Sequence, residues 1–77
     1  MVLEIAYRYR GLDYLAADKQ GNLYLLPHFR FRRTVYFKKL EPFINGNKKA
    51  INYHGSNISF KQLREKKIKV TECIEVY

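Results

Sequence analysis

Apolar residues return at every second position in several short segments of this chain. The first such segment covers residues 2–10, and its apolar side would be formed by Leu3, Ile5, Tyr7 and Tyr9. A period of two is typical of a half-buried strand, and residues that favour turns, Gly and Asn above all, separate the segments. The pattern therefore restricts the chain to short strands joined by tight turns. Because each strand needs one solvated face, it predicts an antiparallel sheet.

A β-hairpin is predicted around the polar loop at residues 18–21. Apolar runs at residues 14–17 and 22–26 flank this loop, which ends in Gly21. Glycine readily adopts the positive φ that such a loop needs. Pro27 then ends the second strand or places it at an edge, since proline cannot donate a hydrogen bond to a neighbouring strand.

A single helix is predicted near the C-terminus. Ser59 and Gln62 have the spacing of a capping box, and Phe60 and Leu63 would form an apolar stripe over about two turns. Alternation resumes from Val70 to Tyr77. We therefore expect an α+β fold, with a small, mainly antiparallel sheet of about five strands and one short helix near the C-terminus. Residues 1–77 would form a single small domain without a linker.

The most basic part of the chain coincides with an alternating segment. The net charge is +8, and residues 28–49 hold seven Lys or Arg against one acidic residue, which gives +6. The strand predicted for residues 28–39 would direct its apolar side to the core through Phe29, Phe31, Val35 and Phe37. Its solvated side would carry His28, Arg30, Arg32, Thr34, Tyr36 and Lys38. Arg33 falls on the apolar side, which indicates a bulge or a turn at that point.

A row of cations on a solvated strand face favours a polyanionic partner, DNA or RNA. Tyr36 lies among the cations and could stack on a base if the nucleic acid is single-stranded. A duplex would instead receive the β-ribbon or the helix in a groove. The predicted nucleic-acid-binding residues are Arg30, Arg32, Arg33, Tyr36, Lys38, Lys48, Lys49, Lys61 and Arg64. The alternative for this charge is a basic face that is only solvated and keeps the protein soluble.

No constellation of residues suggests catalysis, a cofactor or a small-molecule substrate. Cys73 and two isolated histidines do not have the spacing of a metal site, and the glycines do not form a phosphate-binding loop. His54 is expected to be a solvated turn residue. A lone cysteine and the absence of a secretory signal suggest a cytoplasmic protein. No run approaches the ~18 apolar residues of a membrane span.

Residues 11–26 also resemble a known family. The matching positions are an aromatic residue, a turn glycine and an apolar pair, Tyr14, Gly21, Leu23 and Leu26. This segment resembles the nuclease-associated modular DNA-binding domain of phage and mobile-element proteins. Ala17-Asp18 replaces the family's Ser-Asn or Ser-Asp, and the loop is one residue longer than usual. Such modules usually accompany an HNH nuclease, and this chain has no nuclease motif, so the resemblance implies binding without cutting.

The second functional hypothesis is a protein-interaction or dimerisation module, such as a phage or mobile-element accessory protein. Seven Tyr and five Phe are more aromatic residues than so small a core must hold, and Tyr together with Arg is common at binding hot spots. An exposed strand at either end of the sheet could pair with a second copy of the chain and form a homodimer.

Overall fold

The computed structural model describes residues 2–75, which form ten strands and one helix. In chain order, the elements are β1 (Val2–Tyr9), β2 (Leu12–Ala17), β3 (Leu23–Leu25), β4 (His28–Arg30), β5 (Arg33–Val35), β6 (Lys38–Leu40), β7 (Phe43–Asn45), β8 (Lys48–Tyr53), β9 (Ser56–Ser59), α1 (Phe60–Lys66) and β10 (Lys67–Glu75). A five-stranded sheet has the order β10-β1-β2-β3-β6, β4 pairs with β5, and a third sheet has the order β7-β8-β9. The pairings are antiparallel.

The predicted mainly antiparallel sheet with a helix near the C-terminus is confirmed, but the predicted number of strands is wrong. About five strands were expected, whereas the described residues form ten in three sheets. The segment 28–39, expected as one interrupted strand, divides into β4, β5 and the start of β6. The count is higher because tight turns reverse the chain inside segments in which apolar and polar residues keep alternating, so one alternating segment can hold two strands. Val76 and Tyr77, which the predicted last strand included, lie outside the described residues.

One hydrophobic core joins the five-stranded sheet to the three-stranded sheet and the helix. Leu15 of β2 and Ile51 of β8 are fully buried in the same cluster. Leu63, the buried residue of α1, packs there as well. Burying a side chain of this size stabilises a fold by about 1.5–3 kcal/mol. The smaller sheet and the helix therefore cover one face of the larger sheet.

Strand β1 contributes to two clusters rather than to one. Ile5 packs with Ala16 and Leu26, whereas Tyr9 lies in the core with Leu15. The pairing of β1 with β10 changes register between Ile5 and Tyr7, and such a bulge redirects the side chains that follow it. The prediction that residues 3, 5, 7 and 9 share one face is therefore wrong at this bulge.

The hairpin predicted around residues 18–21 is confirmed, and Asp18 organises its loop. The Asp18 carboxylate accepts hydrogen bonds from the backbone N and the side-chain Nδ2 of Asn22, at 2.9 and 3.0 Å, and from the Tyr24 hydroxyl at 3.0 Å. Burial alone would raise the pKa of Asp18, but hydrogen bonds from Asn22, Tyr24 and Gln20 outweigh it and hold the pKa below its ordinary value. Gly21 closes the loop with φ +86°.

The predicted capping box is also present at the start of α1. The Gln62 backbone N donates to Ser59 Oγ at 3.3 Å, and the Ser59 backbone N donates to Gln62 Oε1 at 3.1 Å. These bonds satisfy two amides that a helix start leaves free. At the other end of the helix, the Lys66 carbonyl accepts from the Arg10 backbone N at 2.8 Å. The helix is thus fixed to the β1–β2 turn.

Candidate nucleic-acid interface

Strands β4 and β5 form a two-stranded hairpin, here called the basic hairpin (residues 28–35). Its register pairs His28 with Val35, Phe29 with Thr34 and Arg30 with Arg33. The turn consists of Phe31 and Arg32, with φ values of +52° and +60°. Positive φ at both central residues is what a type I′ turn requires, and this turn matches the natural twist of paired strands.

The basic hairpin turns its phenylalanines toward solvent. Phe29 is 68% exposed and Phe31 is 80% exposed, so the prediction that both lie in the core is wrong. On the opposite side of the hairpin, Val35 packs against the core. Its cross-strand partner His28 stacks on Tyr14 with ring centroids 3.7 Å apart. Because that side covers the body of the protein, alternation directs Phe29 outward.

Two arginines of the basic hairpin lie side by side and without an acidic partner. Arg30 and Arg33 are directly opposed across the strands, and like charges in this position destabilise a sheet. The Arg30 guanidinium also lies 4.7 Å from the centre of the Phe31 ring. Within residues 2–75 the structure has one ion pair, in which Arg8 Nη1 lies 3.0 Å from Glu72 Oε2. The positive charge of the hairpin is therefore not neutralised by any acidic side chain within residues 2–75.

Two further predicted site residues lie just after the basic hairpin. Tyr36 follows β5 directly and is 74% exposed. Lys38 is exposed but belongs to β6, where it pairs with Leu25 of the five-stranded sheet. The outward row predicted from Arg30 to Lys38 is therefore not formed, because the turn and the change of sheet separate its members.

The remaining predicted cations are distributed over other elements. Lys48 and Lys49 are adjacent in β8, so they lie on opposite faces of the three-stranded sheet. The Lys49 ammonium lies 5.0 Å from the centre of the Phe60 ring. Lys61 and Arg64 are exposed on α1, and their spacing of three residues places them on one side of the helix. The structure thus groups Arg30 and Arg33 but separates Lys48 from Lys49.

Four aromatic rings meet beneath the basic hairpin, in a ring cluster formed by Tyr14, His28, Tyr53 and His54. The two imidazoles are perpendicular, with centroids 5.0 Å apart, and His54 also meets Tyr53 edge-on at 4.4 Å. Strand β2 is tied to β8 at this point, because the Tyr14 backbone N donates to the Tyr53 hydroxyl at 3.4 Å. The expectation of a solvated His54 is wrong, since this residue is half-buried.

The ring cluster keeps imidazole nitrogens away from water. His28 Nδ1 is 2.7 Å from the Leu26 carbonyl, and because a carbonyl can only accept, Nδ1 carries the proton. The Nε2 atoms of His28 and His54 are buried without a hydrogen-bond partner. Burial lowers the pKa of His54, and the positive charge of Arg30 and the proximity of His28 lower it further. The cluster therefore favours the neutral form of His54.

A shallow depression lies between the basic hairpin and the ring cluster. It measures about 260 Å³ and is lined by Arg30, Phe31, Arg33, Val35 and His54. Across the part of the chain that the structure describes, no three His, Cys, Asp or Glu side chains lie close enough together to hold a metal ion. In the same range, no helix has the length and apolar character needed to cross a membrane.

Sequence reasoning missed Phe29 and Phe31 as surface residues. The available signal was that each has arginine or histidine on both sides, a poor composition for a buried strand. It also missed the ring cluster, because His28 and His54 are far apart in sequence. Comparison of the chain with protein-family models, with curated proteins and with solved structures finds no match.

Proposed function

We propose that this chain is a non-catalytic nucleic-acid-binding module whose main contact surface is the basic hairpin. The observation that carries the proposal is the pairing of Arg30 with Arg33, which have no acidic partner within residues 2–75, beside the solvent-exposed Phe31 ring. Guanidinium groups bind phosphate through two parallel hydrogen bonds. A phosphate between the two arginines would turn a repulsive contact into an attractive one.

The turn of the basic hairpin gives separate support. Phe31 and Arg32 adopt positive φ, a conformation that disfavours residues with a side chain by about 1–2 kcal/mol each. Asn-Gly would form the same turn with little strain. Strain of this kind is concentrated at functional sites. A side-chain contact at the tip of the hairpin, made by Phe31 and Arg32 themselves, would explain why the strained residues are present.

The resemblance of residues 11–26 to the nuclease-associated DNA-binding domain supports the same proposal. This segment forms the β2–β3 hairpin, and the chain reaches the basic hairpin only two residues after β3 ends at Leu25. Lys61 and Arg64 on α1 and Lys38, Lys48 and Lys49 would add weaker contacts to neighbouring phosphates. Contacts to phosphate alone carry no sequence information, so we propose binding with little base specificity.

Salt dependence of binding tests the proposal. Affinity for a fluorescein-labelled 20-nucleotide strand and a duplex of the same sequence would be measured by anisotropy from 50 to 200 mM salt. Three phosphate contacts by Arg30, Arg32 and Arg33 predict a log–log slope of about −2 to −3. Replacing both Arg30 and Arg33 with Ala should reduce the slope by roughly 1.4–1.8.

Arg10→Ala combined with Lys19→Ala is the matched control. Both residues are exposed outside the basic hairpin, so their replacement lowers the net charge by the same two units without touching the hairpin. An affinity that does not change with salt would contradict the proposal. A hairpin double variant that binds no more weakly than the control with both Arg10 and Lys19 replaced would also contradict it, because the charge would then act without regard to position.

The second candidate function is homodimerisation through β10. This nine-residue strand is the last in the five-stranded sheet, so one of its edges is unpaired among the residues that the structure describes. Its first half carries Lys67 and Lys69, and its second half carries Glu72 and Glu75. An antiparallel second copy would place the basic half of each strand beside the acidic half of the other. We rank this candidate second because the β1–β10 bulge twists the edge, and twisted edges resist pairing.

Sedimentation velocity of nuclease-treated protein, from 10 to 200 μM, tests this second candidate. A dimer that forms with rising concentration and is weakened by Lys69→Glu would support it. A monomer over the whole range would rule it out. Because nucleic acid has been removed, neither result depends on the first proposal.

A further inference from the structure

Three exposed aromatic side chains lie on the basic hairpin or directly after it. Phe29, Phe31 and Tyr36 are 68%, 80% and 74% exposed, and they lie within eight residues of the chain. Phe29 projects from the outer face of the hairpin, Phe31 forms its tip, and Tyr36 follows its second strand. Exposed apolar side chains that form a patch usually mark an interaction site.

The residues around these rings suggest which ligand they contact. Residues 28–37 contain three arginines and no Asp, Glu, Asn or Gln. Arginine itself reads guanine in a duplex groove, so the arginines fit either a duplex or a single strand, and the aromatic rings distinguish the two. Aromatic rings set among cations are typical of proteins that bind single strands, where bases stack on the rings and cations follow the backbone.

The geometry at the tip fits a stacked base. The Arg30 guanidinium lies 4.7 Å from the centre of the Phe31 ring, so it occupies one face of that ring while the side chain as a whole remains largely exposed. A base could stack on the free face, and its phosphate would lie near the paired Arg30 and Arg33. In a duplex, the faces of the bases are already covered by their neighbours, and stacking of this kind is not possible without opening the helix.

We propose that the basic hairpin, together with the adjoining Tyr36, binds single-stranded nucleic acid by stacking bases on Phe29, Phe31 and Tyr36. This inference rests on the proposed nucleic-acid-binding function and names its ligand class. The arginines hold the sugar-phosphate backbone, and the rings hold the bases without discriminating strongly among them. The tip residue Phe31 is the central contact, because it is the most exposed ring and the only one with a guanidinium on its face among the described residues.

Anisotropy titrations at one fixed salt concentration test the inference. The probes are labelled 20-nucleotide oligo(dT), 20-nucleotide oligo(U) and a 20-base-pair duplex of mixed sequence, and the two single strands separate DNA from RNA as the source. We expect the wild-type chain to bind at least one single strand more tightly than the duplex. Phe29→Ala and Phe31→Ala should each weaken single-strand binding by about 5- to 150-fold, which corresponds to the loss of a stacking free energy of about 1–3 kcal/mol per base.

Two controls separate stacking from loss of structure. Ile44→Ala removes an apolar side chain that is 69% exposed on β7, and it should leave affinity within about twofold. Phe31→Trp keeps a ring at the tip and should retain or strengthen single-strand binding. Thermal unfolding of each variant shows whether the hairpin substitutions leave the fold intact, as their exposure predicts.

The outcomes distinguish this inference from the function on which it rests. If the duplex binds as tightly as both single strands, or if the Ala substitutions leave single-strand affinity unchanged, stacking is refuted while nucleic-acid binding stands. If no probe binds even at low salt, both proposals fail. Single-strand preference that is lost in Phe31→Ala and kept in Phe31→Trp supports both.

Discussion

Replacing Arg32 with Gly should make the protein more stable. Arg32 has a φ of +60°, and a side chain in this left-handed conformation costs about 1–2 kcal/mol that glycine avoids. Glycine also gives the unfolded chain more freedom, which offsets roughly 0.4–1 kcal/mol of that gain. The expected net effect is a stabilisation of about 0.5–1 kcal/mol. In a chain of 77 residues, this corresponds to a rise in Tm of about 2–8 °C.

Thermal unfolding followed by circular dichroism measures this change, and Gly46→Ala is its mirror control. Gly46 has a φ of +67° in the β7–β8 turn, and an added Cβ would meet no atom within 4 Å. Only the backbone strain is altered there, so Tm should fall by a similar amount. If Arg32→Gly lowers Tm or leaves it unchanged while Gly46→Ala behaves as expected, the assignment of strain to the basic hairpin is refuted.

Three further predictions concern the core, the loop and the ring cluster. Ile51→Ala should destabilise the fold by about 2–5 kcal/mol in urea unfolding, because Ile51 is fully buried. A loss of stability below about 1 kcal/mol, or an equal loss in the exposed-site variant Ile44→Ala, would contradict the described core. Asp18 has a lowered pKa, so the stability that it contributes is present above its ordinary pKa of 3.8 and is lost as the pH falls through the lower folded-state pKa. Asp18→Asn should remove this pH dependence of the unfolding free energy and should lower stability at pH 7 by about 1–2 kcal/mol. His54 also has a lowered pKa, and the sign is the same as for Asp18: as the pH falls, the unfolded chain takes up a proton before the folded chain does, so stability should decline below about pH 6.5. His54→Asn tolerates the same positive φ, and a decline equally steep in this variant would show that His54 is not its cause.

Local patterns in the sequence predict the elements that depend on contacts between residues close together in the chain. The loop of Asp18 and Gly21 and the capping box of Ser59 and Gln62 depend on bonds between residues three or four positions apart. Their chemistry can be recognised without knowing the rest of the fold. These elements appear in the structure at the predicted positions.

The orientation of the basic hairpin depends on contacts that the sequence does not display. A period of two indicates which residues share a face, but it does not indicate which face is covered. Here the covering residues include Tyr14, which stacks on His28 and is 14 positions away in sequence. The turn at Phe31 and Arg32 also has neither Gly nor Asn, the usual sign of a type I′ turn. For these reasons the sequence pattern places Phe29 and Phe31 in the core, and it predicts only part of the candidate site.

The chain leaves and re-enters the five-stranded sheet at a single point around the basic hairpin. Leu25 at the end of β3 is paired with Lys38 at the start of β6. The twelve residues between them therefore form an excursion, that is, a connection that begins and ends at two hydrogen-bonded neighbouring strands. The length of this excursion can change without altering the alignment of β3 with β6. Related chains could therefore carry longer, shorter or differently charged versions of it on an unchanged scaffold, and ligand preference could diverge while the framework stays the same.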